Sequence, residues 1–172
     1  MSRNDSLVFL PTQLVEGSSR FEIEADIDEL DLAEYTFSVP LRCEIVLERT
    51  GDRIDVHLDL ETSLKLSCSR CGESMRQDIC ASADVTFLPE VKNKEDADEQ
   101  DATDLEFYSE VLDLRDIVRD MFLLALPIAP LCSEDCRGLC PSCGANLNRE
   151  NCKCNIQGNP STFEKLRRLV DE

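Results

Sequence analysis

The chain has 172 residues, a formal charge of −18 at pH 7, 42% hydrophobic residues, ten cysteines and a single histidine. That length suits one domain, or one domain with a small module, and is enough for a real core. No apolar run approaches the ~20 residues of a membrane span, and so acidic a body argues against broad electrostatic binding of phosphate backbones.

The charge is uneven. Residues 1–110 hold 27 acids and 10 bases, net −17, whereas residues 111–172 hold 9 and 8, net −1. A basic partner protein suits such a body, and acid serving solubility alone accounts for the composition equally well. The opening MSRNDSLVFLPTQLVEG has no basic segment followed by a long apolar one, so export is not expected and the location read from the sequence is cytoplasmic.

Along the chain, Phe21, Ile23, Ala25 and Ile27 alternate with Glu22, Glu24 and Asp26, which predicts a half-buried strand with an acidic outer face. Thr36 to Glu48 and Arg53 to Ser67 read as two long strands joined by a hairpin turn at Thr50-Gly51-Asp52. Leu41, Cys43, Ile45 and Leu47 share one face, as do Ile54, Val56, Leu58, Leu60, Leu64 and Leu66. Cys43 is thus expected in the core, and His57 on the opposite face between Asp55 and Asp59, with no nucleophile nearby in sequence. A third strand returns through Ile79, Ala81, Ala83, Val85 and Phe87 to Pro89.

Glu90 to Glu106 reads as an acidic, solvated linker. From Asp113, a plausible N-cap, Leu114, Ile117, Val118, Met121, Phe122 and Ala125 form a helical stripe that ends at Pro127 and should cover the sheet. A last short helix is expected from a capping box of Ser161 and Glu164, with Phe163, Leu166 and Val170 inward and a basic group of Lys165, Arg167 and Arg168. The predicted layout is α+β: an antiparallel β-meander over 1–89, the linker over 90–106, a covering helix and its exit over 107–130, and a cysteine-rich zinc-binding module over 131–172.

Six of the ten cysteines fall within residues 132–154. Cys140-Pro-Ser-Cys143-Gly has the form of a zinc knuckle, and with Cys152-Lys-Cys154 it can close four sulfurs around one Zn²⁺. Cys132 and Cys136 are left over, as is the tight pair Cys68-Ser-Arg-Cys71-Gly at the end of the second long strand; joining them gives a second four-thiolate set. Spacing alone does not choose partners, so a single site with the remaining thiols free stands beside the two-site reading. Disulfides need an oxidising compartment. A redox C-x-x-C at Cys68/Cys71 needs a following helix, where the sequence GESMRQD reads as a turn.

The strings CSRCGES, Phe107-Tyr108 followed by LDLRDIVRDMFLLALPIAPLC, and DCRGLCPSCGANLN with a C-x-C pair resemble the YceD family, the large ribosomal RNA subunit accumulation proteins of bacteria and plastids. The resemblance runs from the second long strand to Cys154. It implies a role in accumulation or maturation of large-subunit (23S) rRNA, in genomes where the gene often neighbours that of a small basic ribosomal protein, and it implies no catalysis. Some members keep counterparts of Cys68, Cys71, Cys132 and Cys136 and lack the CPxCG segment, which favours two sites. The expected partners are therefore a basic large-subunit ribosomal protein, with contact to rRNA or its precursor at the near-neutral end, and no membrane or small-molecule substrate. The acidic first 110 residues depart from a direct RNA binder. A zinc-dependent transcriptional regulator and a thiol oxidoreductase are the rival classes.

Overall fold

Alternation of apolar and polar residues, broken at Thr62-Ser63, builds most of the sheet. In the computed structural model, which describes residues 7–90 and 105–154, strands β2 (Gly17–Glu24), β3 (Phe37–Thr50), β4 (Arg53–Ser67) and β5 (Ser74–Pro89) form the expected antiparallel meander. The inward positions are buried as their parity requires: Leu41, Ile45, Leu47, Ile54, Val56, Leu58 and Leu64 are at most 2% exposed. Cys43 lies among them, and burial pushes its thiol up to about 11, so it is a neutral core residue.

Three short strands add to the expected scheme. β6 (Leu105–Tyr108) pairs parallel with the end of β5, making the five-stranded sheet mixed rather than wholly antiparallel. Its first two residues belong to the stretch that composition assigns to the acidic linker; residues 91–104 of that linker lie outside the described residues. β1 (Val8–Phe9) and β7 (Leu112–Asp113) form a separate two-stranded ribbon. In β3 the register slips on both sides of Val39, next to Pro40, which cannot donate to a ladder. The buried Thr62 hydroxyl donates to the Val39 carbonyl at 3.0 Å, satisfying one group that the irregularity frees.

Helix α1 (Arg115–Ala125) lies against β4 and β5 and buries Val118, Met121 and Phe122, three of the stripe residues. Its start differs by one residue from the expectation. Asp113 pairs in β7 and accepts the Arg115 backbone N–H, while Leu114 occupies the cap position without a side-chain bond. Arg115 also forks onto the Asp113 carboxylate, with contacts of 2.6–3.2 Å, and this holds the acid outside the helix. Phe122 is fully buried, edge-on to Tyr35 at 5.1 Å and stacked on Phe37 at 5.4 Å. Phe122→Ala is expected to cost about 3–5 kcal/mol, read as a lower urea midpoint at an unchanged slope. The capping box at Ser161 and Glu164, and the basic group Lys165, Arg167 and Arg168, lie outside the described residues. Among the described residues no helix is long and apolar enough to cross a membrane.

Candidate metal centres

Strand β4 delivers Cys68 at its end, and the chain turns back at once into β5. Within this turn the Cys68 N–H donates to the Glu73 carbonyl (2.9 Å), and the Gly72 N–H donates to the Cys68 carbonyl (2.9 Å). The segment Cys140–Ala145 repeats the pattern: Cys140 N–H to the Ala145 carbonyl (2.8 Å) and Gly144 N–H to the Cys140 carbonyl (2.8 Å). Gly72 and Gly144 have φ of 71° and 73°, a left-handed conformation that disfavours residues with a Cβ. The two C-x2-C-G strings are thus two copies of one knuckle.

Each knuckle meets a second cysteine pair. Cys68, Cys71, Cys132 and Cys136 form one group and Cys140, Cys143, Cys152 and Cys154 the other; within each, all four sulfurs lie within 4.8 Å of one another. These are the partners the two-site reading joins. Sulfur–sulfur distances are 3.7 Å for Cys68–Cys136 and Cys71–Cys132, 3.5 Å for Cys143–Cys152 and 3.3 Å for Cys140–Cys152. A tetrahedron with Zn–S bonds of ~2.3 Å has edges of ~3.8 Å, whereas a disulfide needs ~2.05 Å. Both groups therefore fit a four-thiolate metal site.

Backbone amides set the charge at the knuckle sulfurs. Cys68 is pulled down to about 6, chiefly by the N–H of Cys132 and then by that of Cys71. Cys140 is likewise pulled down to about 6 by the N–H groups of Cys143 and Ser142. The Asn148 amide lowers Cys136. Their neighbours move the other way, with Cys132 pushed up to about 12 by its bond to Cys136, and Cys154 to about 12 by Cys152 and then Cys143. Four sulfurs this close share negative charge poorly unless a cation lies among them, and thiolate is the metal-binding form.

The first site bolts the β4–β5 turn to the chain leaving α1. Ser69 N–H donates to the Pro130 carbonyl (2.8 Å), and Arg70 Nη1 donates to the carbonyls of Glu134 (3.1 Å) and Cys136 (2.9 Å). A Cβ at Gly138 would sit 3.1 Å from the Arg70 carbonyl oxygen, so glycine there lets the backbones approach. Arg70, Glu73, Gly138, Asn146, Asn148 and Arg149 escaped the sequence reading. Scattered polar residues in loops have no period, and the one available signal was the place of all but Arg149 inside CSRCGES and DCRGLCPSCGANLN.

His57 projects from the sheet face opposite the core, with Nδ1 2.7 Å from Asp84 and Nε2 3.2 Å from Asp59. Asp84 above all raises its pKa. It is an exposed ion-pair partner, with no nucleophile bonded to it among the described residues.

A family model described as "Large ribosomal RNA subunit accumulation protein YceD" matches residues 56–170, well over half of the chain. The chain belongs to the YceD family. Among curated relatives, it is 25% identical over 167 residues to the chloroplastic large ribosomal RNA subunit accumulation protein YCED homolog 1 of Arabidopsis thaliana, covering 83% of this chain and 52% of that protein. The Zea mays protein of the same name is 26% identical over 149 residues, covering 69% and 51%. An uncharacterised protein of Mycobacterium bovis is 32% identical over 84 residues, covering 48% and 40%. The chain thus spans about half the length of the curated relatives it matches. No solved structure matches it. The family match takes in all eight clustered cysteines but begins at Val56, after β2 and β3.

Proposed function

We propose that this chain is a non-catalytic cytoplasmic factor in large ribosomal subunit biogenesis, supporting accumulation or processing of 23S rRNA by holding a basic large-subunit ribosomal protein, with Zn²⁺ filling both four-cysteine sites. Family membership and the relatives' names support the biogenesis role. The observation that carries the binding mode is the register of the open sheet face. Glu22 stands opposite Glu44, and Glu44 opposite Asp59, so three acids lie side by side across β2, β3 and β4. In the next row Arg42 stands between Glu24 and Glu61. Like charges directly opposite weaken a sheet, and the buried core on the other face has no use for them. These two rows line a concavity of ≈ 990 Å³ that reaches Cys80 and Ser82 on β5. A basic protein segment neutralises such a surface, whereas a phosphate backbone is repelled by it. Contact with rRNA or its precursor falls to residues 111–172, whose 9 acids and 8 bases make them the less acidic part of the chain even though each filled four-thiolate site adds a further −2.

Titrating purified basic large-subunit ribosomal proteins into this protein, without RNA, tests the reading. One of them should bind, with an affinity that drops as salt rises, because exposed charges are screened beyond a Debye length of ~8 Å at physiological ionic strength. If none binds at low salt, the reading fails.

The rival classes are separated by thiol chemistry and charge. A transcriptional regulator needs a basic reading surface, and residues 132–154 hold three acids and three bases. A thiol oxidoreductase needs Cys68 and Cys71 free to react, and the lowered pKa of Cys68 is the feature in its favour. With metal in both sites, Cys80 on the exposed face should be the one thiol that reacts quickly with an alkylating reagent, Cys43 being buried and protonated. Chelation should then release the eight clustered thiols, counted by mass spectrometry. Prompt labelling of Cys68 and Cys71 without chelator would favour the oxidoreductase.

A further inference from the structure

The loop between the two ligand pairs of the second site reaches back onto the first. Its residues 146–150 are flanked by Cys143 and Cys152, both members of the second group. From this loop Asn146 Nδ2 (3.0 Å) and Arg149 Nε (2.6 Å) both donate to Glu73 Oε1, at the end of the first knuckle. Asn148 Nδ2 donates to the sulfur of Cys136 itself at 3.3 Å. Asn148 is held in turn at two points: its Oδ1 accepts the Arg137 N–H (2.7 Å), and its N–H donates to Asn146 Oδ1 (2.9 Å). Leu147 N–H donates to the Gly138 carbonyl (2.9 Å), and Leu139 bridges Asn146, which pins the loop beside the first site.

We infer that the two four-cysteine sites form one cooperative metal-binding unit, in which residues 146–150 carry the coupling and Asn148 is the residue that positions Cys136. The inference rests on the metal reading above. A metal in the second site ties down both ends of the loop, and the ordered loop sets a donor on a first-site sulfur and two donors on Glu73. By linkage, a metal in the first site favours the second to the same degree. Glu73 answers to both sites, since its carbonyl closes the first knuckle while its carboxylate holds the second module.

The test is a competition titration of the full chain in reducing buffer, with Zn²⁺ shared against a chromophoric chelator. Wild type should take two equivalents. Cys143→Ser removes the second site and should weaken the first by roughly 5–150-fold, the range of such couplings. Asn148→Ala leaves all eight sulfurs in place. It should keep two equivalents but weaken the first site by roughly 10–100-fold, as loss of a hydrogen bond to a metal ligand does. Added to Cys143→Ser, it should have little further effect, because the loop is already loose; this non-additivity is what a merely local role for Asn148 does not produce. Two equivalents in wild type, with first-site affinity unchanged in Cys143→Ser, would overturn the coupling and leave the metal reading intact. Fewer than two equivalents in wild type would overturn both.

Discussion

Chelation of the protein under reducing conditions is expected to release two Zn²⁺ per chain and to unfold residues 132–154 while the sheet stays folded. The two parts are stabilised by different physics. The sheet and α1 share one large apolar cluster, whereas the first site has a small one of Cys68, Cys71 and Cys136 with Met75 and Leu131 packed on it. Within 132–154 the buried side chains are Cys136 and Cys140; of the two leucines there, Leu139 is 45% exposed and Leu147 is only half-buried. Such a segment has no core of its own. Structural zinc contributes on the order of 10 kcal/mol of apparent binding free energy, comparable to the ~5–15 kcal/mol that stabilises a whole domain. Amide hydrogen exchange checks this directly: chelator should remove protection from 132–154 and from the Cys68–Glu73 turn, and leave β3 and β4 protected. Equal protection of 132–154 with and without chelator would mean that metal does not hold that segment.

Reversing the acidic row should abolish partner binding without harming the fold. Glu22→Lys with Asp59→Lys places cations on both sides of Glu44, turning two repulsive cross-strand pairs into attractive ones. Each relieved pair stabilises the sheet by roughly 0.2–1 kcal/mol, which offsets loss of the exposed His57–Asp59 contact; Glu44 already has Arg20 at 3.2 Å, so the melting temperature should hold, and metal content should not change. Affinity for the basic partner should fall at least about tenfold, equivalent to ~1.4 kcal/mol. A variant that is as stable but no longer binds identifies surface kept for function rather than for the fold. Asp26 is unsuitable for such a swap, because its carboxylate accepts the Asp28 N–H and shapes the turn after β2.

Where side chains repeat with a period, the sequence could be read in advance. The faces of β3, β4 and β5, the buried Cys43 and the stripe of α1 all follow from parity or helical spacing, because one face had to be buried. The short strands could not be read so. β1 and β7 have two residues each, too few to alternate, and β6 is set by its parallel pairing with Thr86–Pro89 at the far end of β5. The start of β2 at Gly17-Ser-Ser-Arg20 has no apolar residue to mark it. In the candidate site the two knuckles were legible because C-x2-C-G carries its geometry in five residues. Their partners were legible as tight pairs, with assignment left open by spacing, and the fold groups Cys68 and Cys71 with Cys132 and Cys136 by ending β4 beside the exit of α1. The links through Glu73, Asn146 and Asn148 depend on where two distant loops meet, and no local pattern encodes that meeting.

The most direct measurement of the central claim is affinity capture of the tagged full chain from ribonuclease-treated lysate, with retained proteins and nucleic acid both identified. The account predicts a basic large-subunit ribosomal protein that stays bound after ribonuclease, elutes as salt is raised, and is lost with Glu22→Lys and Asp59→Lys. Retention of rRNA fragments alone, unaffected by those two substitutions, would contradict it and make the acidic sheet face a solubility device.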